Sequence, residues 1–150
     1  MVEKIIGVIF PIPPEYIDRL LVENRNVFAK YLARNGSRLL PKQKMLFYVS
    51  HSSKKITGEG QIDEILFLTP DEALVKYEKK LFLNRDELMA YARRQPKRSI
   101  SKRMLVVVLS RLKIYPKPVS YRRPISMAGQ YLTKEDYEEL LSLAQLKAKD

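Results

Sequence analysis

Apolar and polar positions alternate along the chain in ways that mark out mostly strands. Val2 to Phe10 is a β-branched, apolar run closed by PIPP, and it predicts a buried strand. Pro13 and Pro14 suit the first turn of a helix, where a missing N–H is tolerated, and Tyr16, Ile17, Leu20 and Leu21 recur at helical spacing to about Val22. An extended piece from Val27 to Leu32 precedes a turn at Asn35-Gly36, and Lys44 to Ser50 is the next strand. After HSSKK comes Ile56 to Leu68, where Gly58 and Gly60 share the face of Ile56 and Ile62. Glycines so placed predict a sharply bent strand or a close backbone approach. Thr69-Pro70 opens a short helix through Val75, and Asn84-Arg85-Asp86-Glu87 is a capping box for another ending near Arg94.

Arg103 to Tyr115 reads as the longest strand, continuously apolar from Met104 to Leu109 and alternating afterwards. Arg111, Lys113 and Tyr115 are therefore expected on one open face. Thr133 caps a final helix whose apolar stripe is Tyr137, Leu140, Leu141 and Ala144. Five or six strands interrupted by short helices, with a glycine-bent strand among them, predict a small α+β barrel. No internal repeat or interdomain linker interrupts residues 1–150, so one domain is expected, and 45% hydrophobic content suffices for its core.

Charge changes this picture more than composition does. The chain carries a net +11, and between Glu87 and Glu135 there are twelve Lys and Arg and no acid, while the remaining sixteen bases balance the 17 acids. One continuous segment thus supplies the whole excess, which points to a polyanion such as nucleic acid; a solvated basic face is the bland alternative. With no cysteine and a single histidine, His51, thiol chemistry is excluded and neither a metal centre nor a cofactor is expected. No apolar run has bilayer length and MVEKIIGVIF lacks a cleavage signal, so no membrane partner and a cytoplasmic location are expected. The oligomeric state is left open by the sequence.

The order of elements, with KQKMLFYVS, ITGEGQIDEI and PISMAGQYLTKEDYEELL, resembles the PUA-like superfamily, in particular its EVE, ASCH and YTH-type branches and an uncharacterised archaeal family among them. The resemblance implies a small mixed β-barrel of five to six strands with short peripheral helices and a closing C-terminal helix. It also implies binding of RNA or another single-stranded nucleic acid, a modified base being one candidate, in a pocket at one barrel mouth. With no tryptophan, stacking rings would be Tyr and Phe; Tyr31, Tyr48, Tyr121 and Tyr131 are candidates, of which Tyr48 sits mid-strand and fits the core.

The candidate interface is Phe28, Lys30, Tyr31, Arg111, Lys113, Tyr121, Arg122, Arg123, Ser126, Gln130 and Tyr131. Arginines serve as bidentate phosphate donors, rings stack bases, and Ser126, Gly129 and Gln130 offer short polar groups beside the last helix. Two other classes stand beside this one. Some ASCH-type domains imply an amidohydrolase acting on acylated nucleosides, for which Lys55, Thr57 and Glu59 alternate along one strand and have suitable types. A protein-interaction domain docking an acidic partner on the basic face is the third. The Ser50-His51-Ser52-Ser53 turn reads as a solvated hairpin loop.

Overall fold

The computed structural model describes residues 4–32, 39–50, 54–94, 102–121, 125–126 and 129–144. It contains six strands, β1 (Ile5–Ile12), β2 (Val27–Lys30), β3 (Lys44–Val49), β4 (Ile56–Leu68), β5 (Met104–Val119) and β6 (Gln130–Thr133). Four helices join them: α1 (Pro14–Leu21), α2 (Pro70–Tyr77), α3 (Arg85–Arg94) and α4 (Lys134–Leu143). The strands form one mixed sheet in the order β2-β5-β4-β3-β1-β6, in which only β1 and β3 run parallel.

The α+β class and the six strands match the expectation, but the hydrogen-bonded ladder stays open rather than closing into a barrel. Residues 80–82 meet the outer edge of β2 at Val27. The Val27 N–H donates to the Lys80 carbonyl at 3.0 Å, and the Phe82 N–H donates to the Val27 carbonyl at 2.9 Å. The asparagine turn at 35–36 lies outside the described residues.

Period-two alternation sorts the side chains onto two cores. Val8, Phe10 and Ile12 of β1 and Met45, Phe47 and Val49 of β3 face the larger one, with α1, α2 and α3 packed over it. Ile9 and Leu46 face a smaller core on the other side, closed by Leu140 of α4 and by Ala144 just past its end. β1 runs so close to β3 that a Cβ at Gly7 would lie 2.2 Å from the Lys44 carbonyl oxygen, so only glycine fits there.

β4 and β5 approach closely at Gly58, one of the two expectations for these glycines: a Cβ there would lie 2.5 Å from the Lys113 carbonyl oxygen. Their ladder shifts register between Ile56 and Gly58, between Glu59 and Gln61, and between Ile62 and Glu64. One shift overturns an expectation. Gln61 pairs with Ser110 and Glu59 with Lys113, so β5 carries an extra residue there, and Arg111 adopts φ of 50°. The bulge breaks the alternation, leaving Arg111 exposed, Lys113 half-buried and Tyr115 buried, so the three do not share an open face. β5 also runs four residues past Tyr115 to Val119.

Candidate functional site

An apolar depression with charged groups at its border lies beside the larger core. It measures about 340 Å³ and is walled by the end of β1 (Pro11 to Pro13), Tyr16 of α1, Phe28 to Lys30 of β2, Phe82, Leu83, and Glu87, Tyr91 and Arg94 of α3. That volume is at the lower end for small-ligand pockets, about 300–1,000 Å³. Each wall has a local cause. PIPP ends β1 and seeds α1 with Pro14 at its first turn, which sets Tyr16 over the cleft. The capping box predicted at α3 is formed: the Glu87 N–H donates to Asn84 Oδ1 and the Asn84 N–H to Glu87 Oε1, both at 2.9 Å.

A row of rings runs from the core, at Phe10, to the wall of the cleft. Phe10 stacks on Phe28 at 5.3 Å, Phe28 meets Phe82 at 5.0 Å, and Phe82 meets the edge of Tyr16 at 5.9 Å. The Lys30 ammonium lies 5.9 Å from the centre of the Phe10 ring, and the Arg19 guanidinium 5.0 Å from that of Tyr16. Arg19 also grips Glu87 with two parallel bonds and donates to the Phe82 carbonyl at 3.1 Å, tying α1 to α3. The Arg19 bonds hold the Glu87 carboxyl below its usual range, and burial pushes the Tyr16 phenol up.

The expected interface residues separate into groups. Phe28 and Lys30 line the cleft. Gly129, at φ of 87°, fits so tightly against Phe10 that a Cβ would lie 2.6 Å from its ring, and its N–H donates to the Ser126 carbonyl at 2.9 Å, so Gly129 and the adjoining Gln130 lie at the Phe10 end of the row. Tyr131 packs half-buried on the larger core. Tyr31, expected as a stacking ring, is instead a core ring, 2% exposed and packed 5.3 Å from Tyr91. Tyr48 and Tyr121 pack against the smaller core, on the sheet face away from the cleft. Arg111 lines a separate depression of about 490 Å³ with Leu21, Val22, Asn24 and Asn26, so neither it nor Lys113 joins the cleft. Arg122 and Arg123 lie outside the described residues, as does His51.

The alternative triad does not assemble. Lys55 is exposed ahead of β4, the register shift after Ile56 interrupts the alternation, and Glu59 is 1% exposed. Glu59 has other partners. Tyr115 donates its hydroxyl to Oε1 at 2.9 Å, Tyr137 reaches both oxygens at 2.9 Å, and Lys44 Nζ lies 3.6 Å from Oε2. Burial, then the Glu59 charge, pushes both phenols well above their ordinary value. This cluster joins α4 to the sheet.

Sequence reasoning missed Tyr16, Phe82, Glu87, Tyr91 and Arg94 in the cleft. The signal was PIPPEY, a proline stop that holds an aromatic at a strand end. Among the described residues no group of three or more His, Asp or Glu could hold a metal ion, and no helix is long and apolar enough to cross a membrane.

Comparison with known proteins gives a family and a fold. A family model described as a domain of unknown function, DUF365, matches residues 5–134. The uncharacterized protein MJECS03 of Methanocaldococcus jannaschii is 32% identical over 104 residues, covering 65% of this chain and 96% of its own. The crystal structure of ASCH from Zymomonas mobilis superposes with a TM-score of 0.74 at 15% identity, covering 92% of this chain and 95% of the other. The N-terminal domain of McrB from Staphylothermus marinus superposes with a TM-score of 0.57 at 19% identity, covering 91% and 92%. The fold is thus like that of the ASCH structure, in keeping with the PUA-like resemblance.

Proposed function

We propose that this chain, which belongs to the DUF365 family, is a nucleic-acid-binding module that takes one base of a single strand, RNA foremost, into the cleft beside Tyr16, Phe28 and Tyr91. The observation that carries the reading is the ring-walled cleft itself, bordered by the cationic Lys30 and Arg94. Every base has a π-face, so such a wall binds by stacking, while Lys and Arg hold the flanking phosphates. The acid-free segment supports it: Arg93, Arg94, Lys102 and Arg103 are exposed along the end of α3 and the approach to β5. The hydrolytic alternative through Lys55, Thr57 and Glu59 loses its base, because Lys55 stands in solvent while Glu59 is closed off by two tyrosines.

Fluorescence anisotropy with a labelled single-stranded RNA, repeated over a range of salt, tests the reading. Binding that weakens steeply with salt is expected, and Tyr16→Ala should reduce it by about 1–3 kcal/mol through lost stacking. Arg94→Ala should weaken every sequence about equally. The reading fails if no single strand binds in a salt-dependent way, or if both variants bind like the parent.

A further inference from the structure

Among the described residues that line the cleft, Glu87 is the one acid. A carboxylate is a poor neighbour for a polyanion. A cube of about 340 Å³ is roughly 7 Å on a side, less than the Debye length of about 8 Å at physiological ionic strength, so salt does not hide Glu87 from a ligand in the cleft. Glu87 cannot swing away either, because its Oε1 accepts the Asn84 N–H at 2.9 Å as part of the box that caps α3. Nor does it give up its charge, since the Arg19 bonds hold its carboxyl below the usual range.

The answer to that charge comes from another helix. Arg19 of α1 takes both carboxylate oxygens, the bond to Oε2 measuring 3.0 Å, without itself lining the cleft. Two further contacts fix it: Nη1 donates to the Phe82 carbonyl at 3.1 Å, and the guanidinium lies 5.0 Å from the centre of the Tyr16 ring. We infer that Arg19 is a positioning residue of the strand-binding site, which holds and masks the Glu87 carboxylate so that the cleft does not repel the phosphates of a bound strand. This rests on the nucleic-acid reading above and names the device that makes the cleft compatible with a polyanion.

A charge cycle in RNA anisotropy at low salt isolates the masking. Arg19→Gln removes the mask and should weaken binding of a labelled single-stranded RNA about three- to tenfold, the effect of one uncompensated charge roughly 7 Å away in a largely aqueous setting. Adding Glu87→Gln in that background removes the acid, keeps a side chain able to cap α3, and should restore affinity to within about twofold of the parent. A bridge that served the fold alone would give the double variant no such recovery. Glu87→Gln by itself leaves the Arg19 charge uncancelled and should tighten binding with a steeper salt dependence, which makes the test should Arg19→Gln not fold. A folded Arg19→Gln variant that binds like the parent, a double variant no better than Arg19→Gln, or Glu87→Gln binding no tighter than the parent overturns this inference and leaves the nucleic-acid reading standing. Failure of the parent protein to bind any strand overturns both.

Discussion

Replacing Tyr137 by Phe removes one hydroxyl from the α4–sheet contact and leaves the ring in place. That hydroxyl lies 2.9 Å from both oxygens of Glu59, a carboxylate only 1% exposed. A hydrogen bond to a charged group contributes about 1.5–3 kcal/mol. Since Glu59 would retain Tyr115 and the Lys44 ammonium 3.6 Å away, the lower part of that range is expected for Tyr137→Phe. Tyr115 is 3% exposed and its hydroxyl is buried, so Tyr115→Phe should reach the upper part. The two phenols serve one carboxylate, so the double variant should lose more than the sum of the singles. Urea unfolding at neutral pH reads these differences as shifts in midpoint at unchanged slope. The same variants test the alkaline limb. With both folded-state pKa values raised above the ordinary 10, the tyrosines' contribution is whole below about pH 10. It declines as pH rises further, because the unfolded chain releases protons that the folded chain keeps, by up to about 1.4 kcal/mol per pH unit per tyrosine. Phe at both positions should flatten that decline. Single variants within about 0.5 kcal/mol of the parent, or a strictly additive double, would refute the account of Glu59 as the anchor of α4.

Two further outcomes follow from the packing. Gly7→Ala places a methyl 2.2 Å from the backbone oxygen of Lys44, which cannot rotate away, and should destabilise by about 1–3 kcal/mol in thermal unfolding; an unchanged melting temperature would mean that β1 and β3 lie farther apart. Glu87, its carboxyl held down mainly by Arg19, contributes stability above its ordinary pKa of about 4.5 that is lost as pH falls through the lower folded value. Glu87→Gln should therefore flatten the acid limb of the stability profile at a neutral-pH cost of no more than about 1 kcal/mol, the pair being a quarter exposed. An unaltered acid limb would contradict the pairing.

What the sequence made legible was whatever local pattern controls. The capping box at Asn84, the Thr69-Pro70 start of α2, the proline start of α1 and the span Ile56–Leu68 all rest on neighbours in the chain, and they appear as read. The PUA-like likeness was likewise readable from element order. The failures come from contacts between distant segments. A single extra residue at Arg111 sends Lys113 and Tyr115 to a face that strict alternation denies them, and nothing local announces it. Tyr31 looked like a mouth residue because a lysine precedes it. Its burial is decided by Tyr91, sixty positions away. Glu59 carried a readable signal that was assigned to the wrong partner: an acid between two glycines in an inward-facing strand needs donors, and they came from β5 and α4 instead of from Lys55.

These two clusters divide the labour between the faces of one sheet. Alternation along β1 turns Phe10 toward the ring row and Ile9 toward α4, so whatever fixes α4 acts through the side opposite the cleft. The Glu59 contacts provide that fixing, and α4 consequently closes the smaller core without competing for the aromatic wall. The chain entering α4 must still pass the edge of β1, and Gly129 lets it do so against the Phe10 ring, where any side chain would collide. A helix anchored on one face is thus preceded by a residue, Gly129, that sits against the ring row on the other. On this reasoning Gly129→Ala should disturb both stability and strand binding, whereas Tyr137→Phe should lower stability alone while α4 stays docked. Measured side by side by urea unfolding and RNA anisotropy, equal binding losses in the two variants would show that the two faces are not independent.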